Sequence, residues 1–213
     1  MGLESKIKDL GKIAVVMGGV SSEREISLKS GKAVFDAFKR HGFNAVAVDL
    51  VSENPDEVAQ LIRSQNPDCI FLALHGHFGE DGGIQTILDG LKIPYTGSGA
   101  KASKLAMDKA ASRKIFEAGG LNVPQSKVLL RQESSIEQIK NLDIPLPAVI
   151  KPAANGSSIG LSIIDNMVDL DRAIMLGFKF DDTIIIERFI EGRELTVGIL
   201  ADNALPVIEI VPK

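Results

Sequence analysis

Four stretches of this sequence gather side chains of the kinds that bind and activate small molecules. Residues 18–31, GGVSSEREISLKSG, crowd glycines, serines and the carboxylates Glu23 and Glu25 into one turn and the start of a helical pattern. A carboxylate at Glu23 can hold a protonated amine, or it can only complement the positive end of a helix dipole; both readings stand at this point. Residues 74–83, LHGHFGEDGG, offer His75 as a polar contact, and with His77 a pair of imidazoles for which no third metal ligand is visible nearby. In residues 150–160, IKPAANGSSIG, Lys151 precedes a loop of small residues. Such a loop lets backbone N–H groups approach phosphate oxygens while the lysine adds a point charge, although an ordinary turn has the same composition. Residues 184–200, IIIERFIEGRELTVGIL, carry Glu187 and Glu194 near strand ends, as acceptors for an amino group or hydroxyls or as plain solvated charges.

Positioning these groups requires elements that the hydrophobic pattern supplies. Apolar runs at 13–17, 45–50 and 69–74 read as strands, with helical patterns at 25–40 and 55–65 between them. This β-α-β-α-β order predicts an α/β unit, a parallel sheet with helices on both faces. Glu23 and His75 then fall at the carboxyl edge of the sheet, where open α/β sheets bind ligands. Ser22 and Glu25 fit a capping box for the first helix, whose apolar face is expected to carry Ile26, Ala33, Val34, Ala37 and Phe38. A helix at 84–91 and a short strand around Pro94 and Tyr95 follow, and 100–120 reads as helix with AGG as its stop signal. The pattern then changes to short strands at 148–151, 161–164, 183–187 and 194–200, with a helix at 168–176. We therefore expect two units, 1–100 and 101–213, the second a small α+β unit. No G-x-x-x-x-G-K-[ST] occurs, and a strand rather than a helix follows the 155–160 loop, so this is not a P-loop.

The 213 residues are 45% apolar with a formal net charge of −4, and the lysines are scattered. That balance argues against a nucleic-acid partner. The single cysteine, Cys69, cannot form an internal disulfide and is expected to be a buried structural thiol in a reducing compartment. The 13–17 run is too short for a signal segment or a membrane span, so a cytoplasmic protein with no membrane partner is expected.

Taken together, VVMGGVSSEREISLKSG, ALHGHFGEDGGIQTILDGLKIPYTGSG, AMDKAASRKIFEAGG, PAVIKPAANGSSIG and IIIERFIEGRELTVGIL occur in the order and at the separations of one family. From about Lys12 to Lys213 the chain resembles the D-alanine:D-alanine ligases, ATP-grasp enzymes of bacterial peptidoglycan precursor synthesis. The resemblance implies a Rossmann-like (pre-ATP-grasp) N-terminal domain followed by an ATP-grasp subdomain. It implies that Glu23 holds the amino group of the first D-alanine, that Ser157 joins Glu23 in a hydrogen-bond network, and that His75 lines the same pocket. Lys109 and Lys151 match the lysines on the ATP phosphates, and Gly156 and Ser158 match the mobile lid over them. Glu187 matches the residue at the adenine edge, with Phe189 and Ile190 in the linker beside it, and Glu194 matches the ribose contact. The implied reaction transfers the ATP γ-phosphoryl to the carboxylate of one D-alanine, and the amine of the second attacks the resulting acyl phosphate.

The family continues beyond PVIEIVPK, residues 206–213, into a third domain that supplies the ligands of Mg2+ (or Mn2+), an arginine near the reacting phosphate and the groups for the second D-alanine. The expectation is therefore a piece of a longer protein. The alternative is a non-catalytic fragment that binds nucleotide and associates with itself. A ligase taking D-lactate or D-serine as second substrate is a third reading. A homodimer is implied by the resemblance alone.

Overall fold

The computed structural model describes residues 10–132 and 145–211. Residues 1–9 of the expected first unit, and 133–144 and 212–213 of the second, lie outside the described residues.

Strand β1 (Ile13–Gly18) is buried along its whole length, as a continuous run of Ile, Ala and Val demands of a central parallel strand. It pairs in parallel with β2 (Ala45–Leu50) on one side and β3 (Cys69–Leu72) on the other, giving the order β2-β1-β3. Alternate residues of β1 serve opposite faces. Ala14 and Val16 pack with Val58 and Ile62 of α2 (Pro55–Gln65) and with Ile84 and Leu88 of α3 (Gly83–Leu91). Val15 and Met17 pack with Leu28, Val34, Phe35 and Phe38 of α1 (Arg24–Arg40). The expected parallel sheet with helices on both faces is the observed one.

Local details differ. The capping box does not form: α1 begins at Arg24, Glu23 is its N-cap residue, and no side chain caps the helix. Ser21 takes over the turn, its Oγ accepting the Glu23 N–H at 3.2 Å and donating to the carbonyl of His75 at 2.8 Å, so the helix starts one residue late. The inward face of α1 is also rotated from the predicted one. Ser27 and Gly31 are buried while Ile26 and Ala33 are exposed, because Gly31 lets the helix settle against Met17. The expected strand at 94–95 is a single parallel bridge between Ile70 and Tyr95.

The helix predicted over 100–120 is two helices, α4 (Ala100–Met107) and α5 (Lys109–Ala118). Asp108 adopts an extended conformation between them, and its carboxylate accepts the N–H groups of Ala110 and Ala111. An N-cap aspartate thus interrupts a sequence that reads as continuous helix.

A second sheet is antiparallel in the order β4-β7-β5-β6, from β4 (Ser126–Leu130), β5 (Ala148–Pro152), β6 (Ser162–Ile164) and β7 (Thr183–Arg188). Ile150, Ile164, Ile184 and Ile186 bury one face against Leu170, Ala173, Ile174 and Phe178 on and just after α6 (Leu170–Gly177). Strand alternation sends Lys151 and Glu187 to the other face. Strands β8 (Glu194–Leu200) and β9 (Asn203–Ile210) form a separate ribbon in which every residue is exposed.

Candidate functional site

The carboxyl ends of β1 and β3 are stitched together by serines. Ser27, fully buried, accepts the Gly18 N–H and donates to the carbonyl of Ala73, both at 2.8 Å. One helical turn before it, Glu23 reaches over Gly76, whose φ of +72° brings the loop close. A Cβ at Gly76 would stand 2.5 Å from Glu23 Oε2, so only glycine admits the carboxylate there. His75 lies beside it, with Nε2 3.0 Å from Ser30 Oγ and Nδ1 3.6 Å from Glu80 Oε1. His77 turns elsewhere, to Glu53 at 3.3 Å and Asp81 at 3.1 Å.

The 155–160 loop crosses to this edge. Ser157 Oγ donates to Glu23 Oε1 at 2.5 Å, joining residues 134 apart in sequence. Ser157 and Ser158 both hold left-handed backbone, with φ of 52° and 56°. Such conformations cost non-glycine residues about 1 kcal/mol each and concentrate at ligand sites. Among the described residues no acceptor meets the N–H groups of Gly156, Ser157 or Ser158.

At the loop a cavity of about 110 Å³ is lined by Lys109, Lys151, Asn155 and residues 156–159, with Pro152 and Leu161. Lys109 opens α5, where its N–H donates to the Ala153 carbonyl at 3.0 Å and its Nζ to that of Asn155 at 2.5 Å. Burial, followed by the charge of Lys151, pulls the Lys109 ammonium below its ordinary 10.5, against the partial support of Asp181, Asp108 and Glu187. Lys151 pairs with Glu187, which also meets Arg113 at 3.4 Å. Two cations therefore pair with one carboxylate, and a third, Lys109, lines the same cavity, beside a loop with unspent N–H groups. Chemically, such an arrangement can hold a polyanion.

Glu23, Ser157 and His75 thus share one edge, and Lys109, Lys151, Gly156, Ser158 and Glu187 an adjoining cleft. Phe189 follows β7, its N–H donating to the Pro147 carbonyl at 2.9 Å, and Ile190 is exposed next to it. Glu194 lies on the exposed ribbon, opposite Ile210. Arg113, Ser21, Ser27 and Ser30 were not anticipated. Ser27 and Ser30 leave a trace in sequence, as polar residues one turn or two beyond Glu23 on α1; Arg113 leaves none, because its partner is 74 residues away. Cys69 is half-buried rather than buried, in an apolar groove with Phe38 and Tyr95, and desolvation raises its thiol above 9.0. Among the described residues no three His, Cys, Asp or Glu side chains are gathered to hold a metal. No helix among them is long and apolar enough to cross a membrane.

The family models described as D-ala D-ala ligase N-terminus and D-ala D-ala ligase C-terminus match residues 51–98 and 115–213. A D-alanine–D-alanine ligase of Citrifermentans bemidjiense is 47% identical over 202 residues, 95% of this chain and 63% of that protein. The chain thus spans about 63% of the length of the curated relatives it matches. The crystal structure of the Bacillus anthracis D-alanine–D-alanine ligase complexed with ATP superposes with a TM-score of 0.82 at 31% identity, covering 95% of this chain and 67% of that one. The VanG D-Ala:D-Ser ligase of Enterococcus faecalis gives 0.77 at 28% identity, covering 93% and 69%. Two family models in sequence order and a shared ATP-grasp fold over almost the whole chain lead to one conclusion: this chain belongs to the D-alanine–D-alanine ligase family.

Proposed function

We propose that the protein carrying this chain joins two D-alanine molecules at the expense of ATP, for peptidoglycan precursor synthesis in the cytoplasm. The observation that carries this reading is the Glu23–Ser157 hydrogen bond, which brings an amine-binding carboxylate against the loop that lines the Lys109 and Lys151 cavity. In this reading residues 1–100 bind the first D-alanine, with Glu23 on its ammonium and His75 alongside. Residues 101–213 bind ATP. Lys109, Lys151 and the N–H groups of Gly156 and Ser158 take the phosphates, Glu187 with Phe189 and Ile190 the adenine, and Glu194 the ribose.

The γ-phosphoryl passes to a carboxylate oxygen of the first D-alanine, releasing ADP. The amine of the second then forms the peptide bond as phosphate leaves and a proton is lost. Positioning and charge neutralisation carry such chemistry, with no protein nucleophile required. When bound, a divalent ion would neutralise phosphate charge; in this reading its ligands, and the groups for the second D-alanine, come from polypeptide other than the described residues. A homodimer is part of the proposal by family resemblance.

The test is D-alanine-dependent phosphate release by the purified protein with Glu23→Gln and Lys151→Ala. Glu23→Gln is expected to raise KM for one D-alanine far more than KM for ATP, because only the amine contact loses its charge. Lys151→Ala should weaken ATP at least tenfold, the loss of one charge-assisted contact worth about 1.5 to 3 kcal/mol. Equal effects of Glu23→Gln on both substrates would make it a structural residue of the helix start.

A further inference from the structure

We infer that Arg113 is a positioning residue for nucleotide binding: it holds Glu187 so that Lys151 can leave that carboxylate for the phosphates. The inference rests on the nucleotide reading of the cavity at the glycine loop. Glu187 is only 13% exposed, and its two oxygens are divided between two cations: Oε1 takes Lys151, and Oε2 takes Arg113 Nη1 at 3.4 Å. The two cations differ in kind. Lys151 is an ammonium on a flexible stem that also lines the cavity, where the nearby Lys109 repels it. Arg113 is absent from the cavity lining, only 12% exposed, and backed by Glu117 one helical turn on, at 3.4 Å from its Nε. One positive charge does not neutralise both Glu187 and a polyphosphate. Removing Lys151 from a buried carboxylate without a second counter-charge leaves that charge stranded, a large penalty against binding. Arg113 supplies the second charge and stays behind.

The experiment is calorimetric titration of ATP into the purified protein and into Arg113→Met, Arg113→Lys, Glu187→Gln and the Arg113→Met/Glu187→Gln double variant, with thermal melts confirming that each is folded. Arg113→Met is expected to weaken ATP five- to tenfold and Arg113→Lys less than threefold. In the Glu187→Gln background the same Arg113→Met change should cost less than twofold, since no carboxylate remains to be held. If Arg113→Met does not fold, Arg113→Gln is read through the same cycle. An Arg113 effect of equal size in both backgrounds, or none in the wild type, overturns the inference. Lys151→Ala separates the two levels: if it binds ATP as tightly as wild type, the nucleotide reading fails and the inference with it. If it binds weakly while Arg113→Met is unchanged, only the role of Arg113 fails.

Discussion

Removing the Ser157 hydroxyl should release the glycine loop from the sheet edge, and the structure sets the size of the effect. Ser157 Oγ donates to a carboxylate oxygen at 2.5 Å. A hydrogen bond to a charged group contributes about 1.5 to 3 kcal/mol when shielded. Ser157 is exposed, so solvent screening brings the expected value to about 1 kcal/mol. That corresponds to about a fivefold rise in the population of the released loop. Hydrogen exchange at the amides of Ile159 and Leu161, whose N–H groups donate to the carbonyls of Gly156 and Ser158 at 3.2 Å, reads this directly, without any assay of turnover. Ser157→Ala and Glu23→Ala should each accelerate exchange about fivefold, and the double variant no further, giving a coupling near 1 kcal/mol. Ser157→Gly makes a second comparison: it loses the same bond but relieves a φ of 52°, so it should melt above Ser157→Ala. Full additivity of the two alanine changes, or unchanged exchange in both, would refute the view that this bond closes the loop.

Further outcomes are expected at three residues. Because Lys109 titrates below 10.5 in the folded protein, the unfolded chain binds more protons between that depressed value and 10.5, and stability should rise with pH across the window. A bound polyphosphate favours the ammonium, so in the proposed function ATP binding should take up protons at alkaline pH and weaken as pH rises; titrations in buffers of different ionisation heat measure the uptake, and none would remove Lys109 from the proposed phosphate site. Gly31→Ala would place a Cβ 2.5 Å from Met17 Cβ, a strand-anchored atom, and overpacking of this kind costs about 1 to 3 kcal/mol, seen as a Tm several degrees lower. Asp108→Ala removes the acceptor for two N–H groups of α5, at a cost of about 1 kcal/mol in denaturant unfolding, and should also lower ATP affinity because Lys109 is the first residue of that helix.

Much of this architecture was legible from local pattern. The continuous apolar run at β1 and the helical spacings of α1 and α2 are patterns that each segment must satisfy against its own core, and the strand expected at 194–200 is the observed β8 although all its residues are exposed. The glycine loop and Lys151 before it were visible as types in order, although their composition alone matched any turn. The start of α1 and the break at Asp108 were not. Each turns on one side chain, Ser21 or Asp108, offering its oxygen to a particular N–H in competition with continued helix.

The pairings that make a site out of these segments belong to tertiary structure alone. Glu23 gains meaning from a serine 134 residues on, and Glu187 from an arginine 74 residues before it. Which face of α1 turns inward depended on Gly31 against Met17, a contact between elements. Sequence periodicity specifies that a face is buried or a strand end is charged. Which charge meets which is decided only when separate cores bring their edges within hydrogen-bonding distance, because these interactions act over a few ångströms in space and are indifferent to separation along the chain.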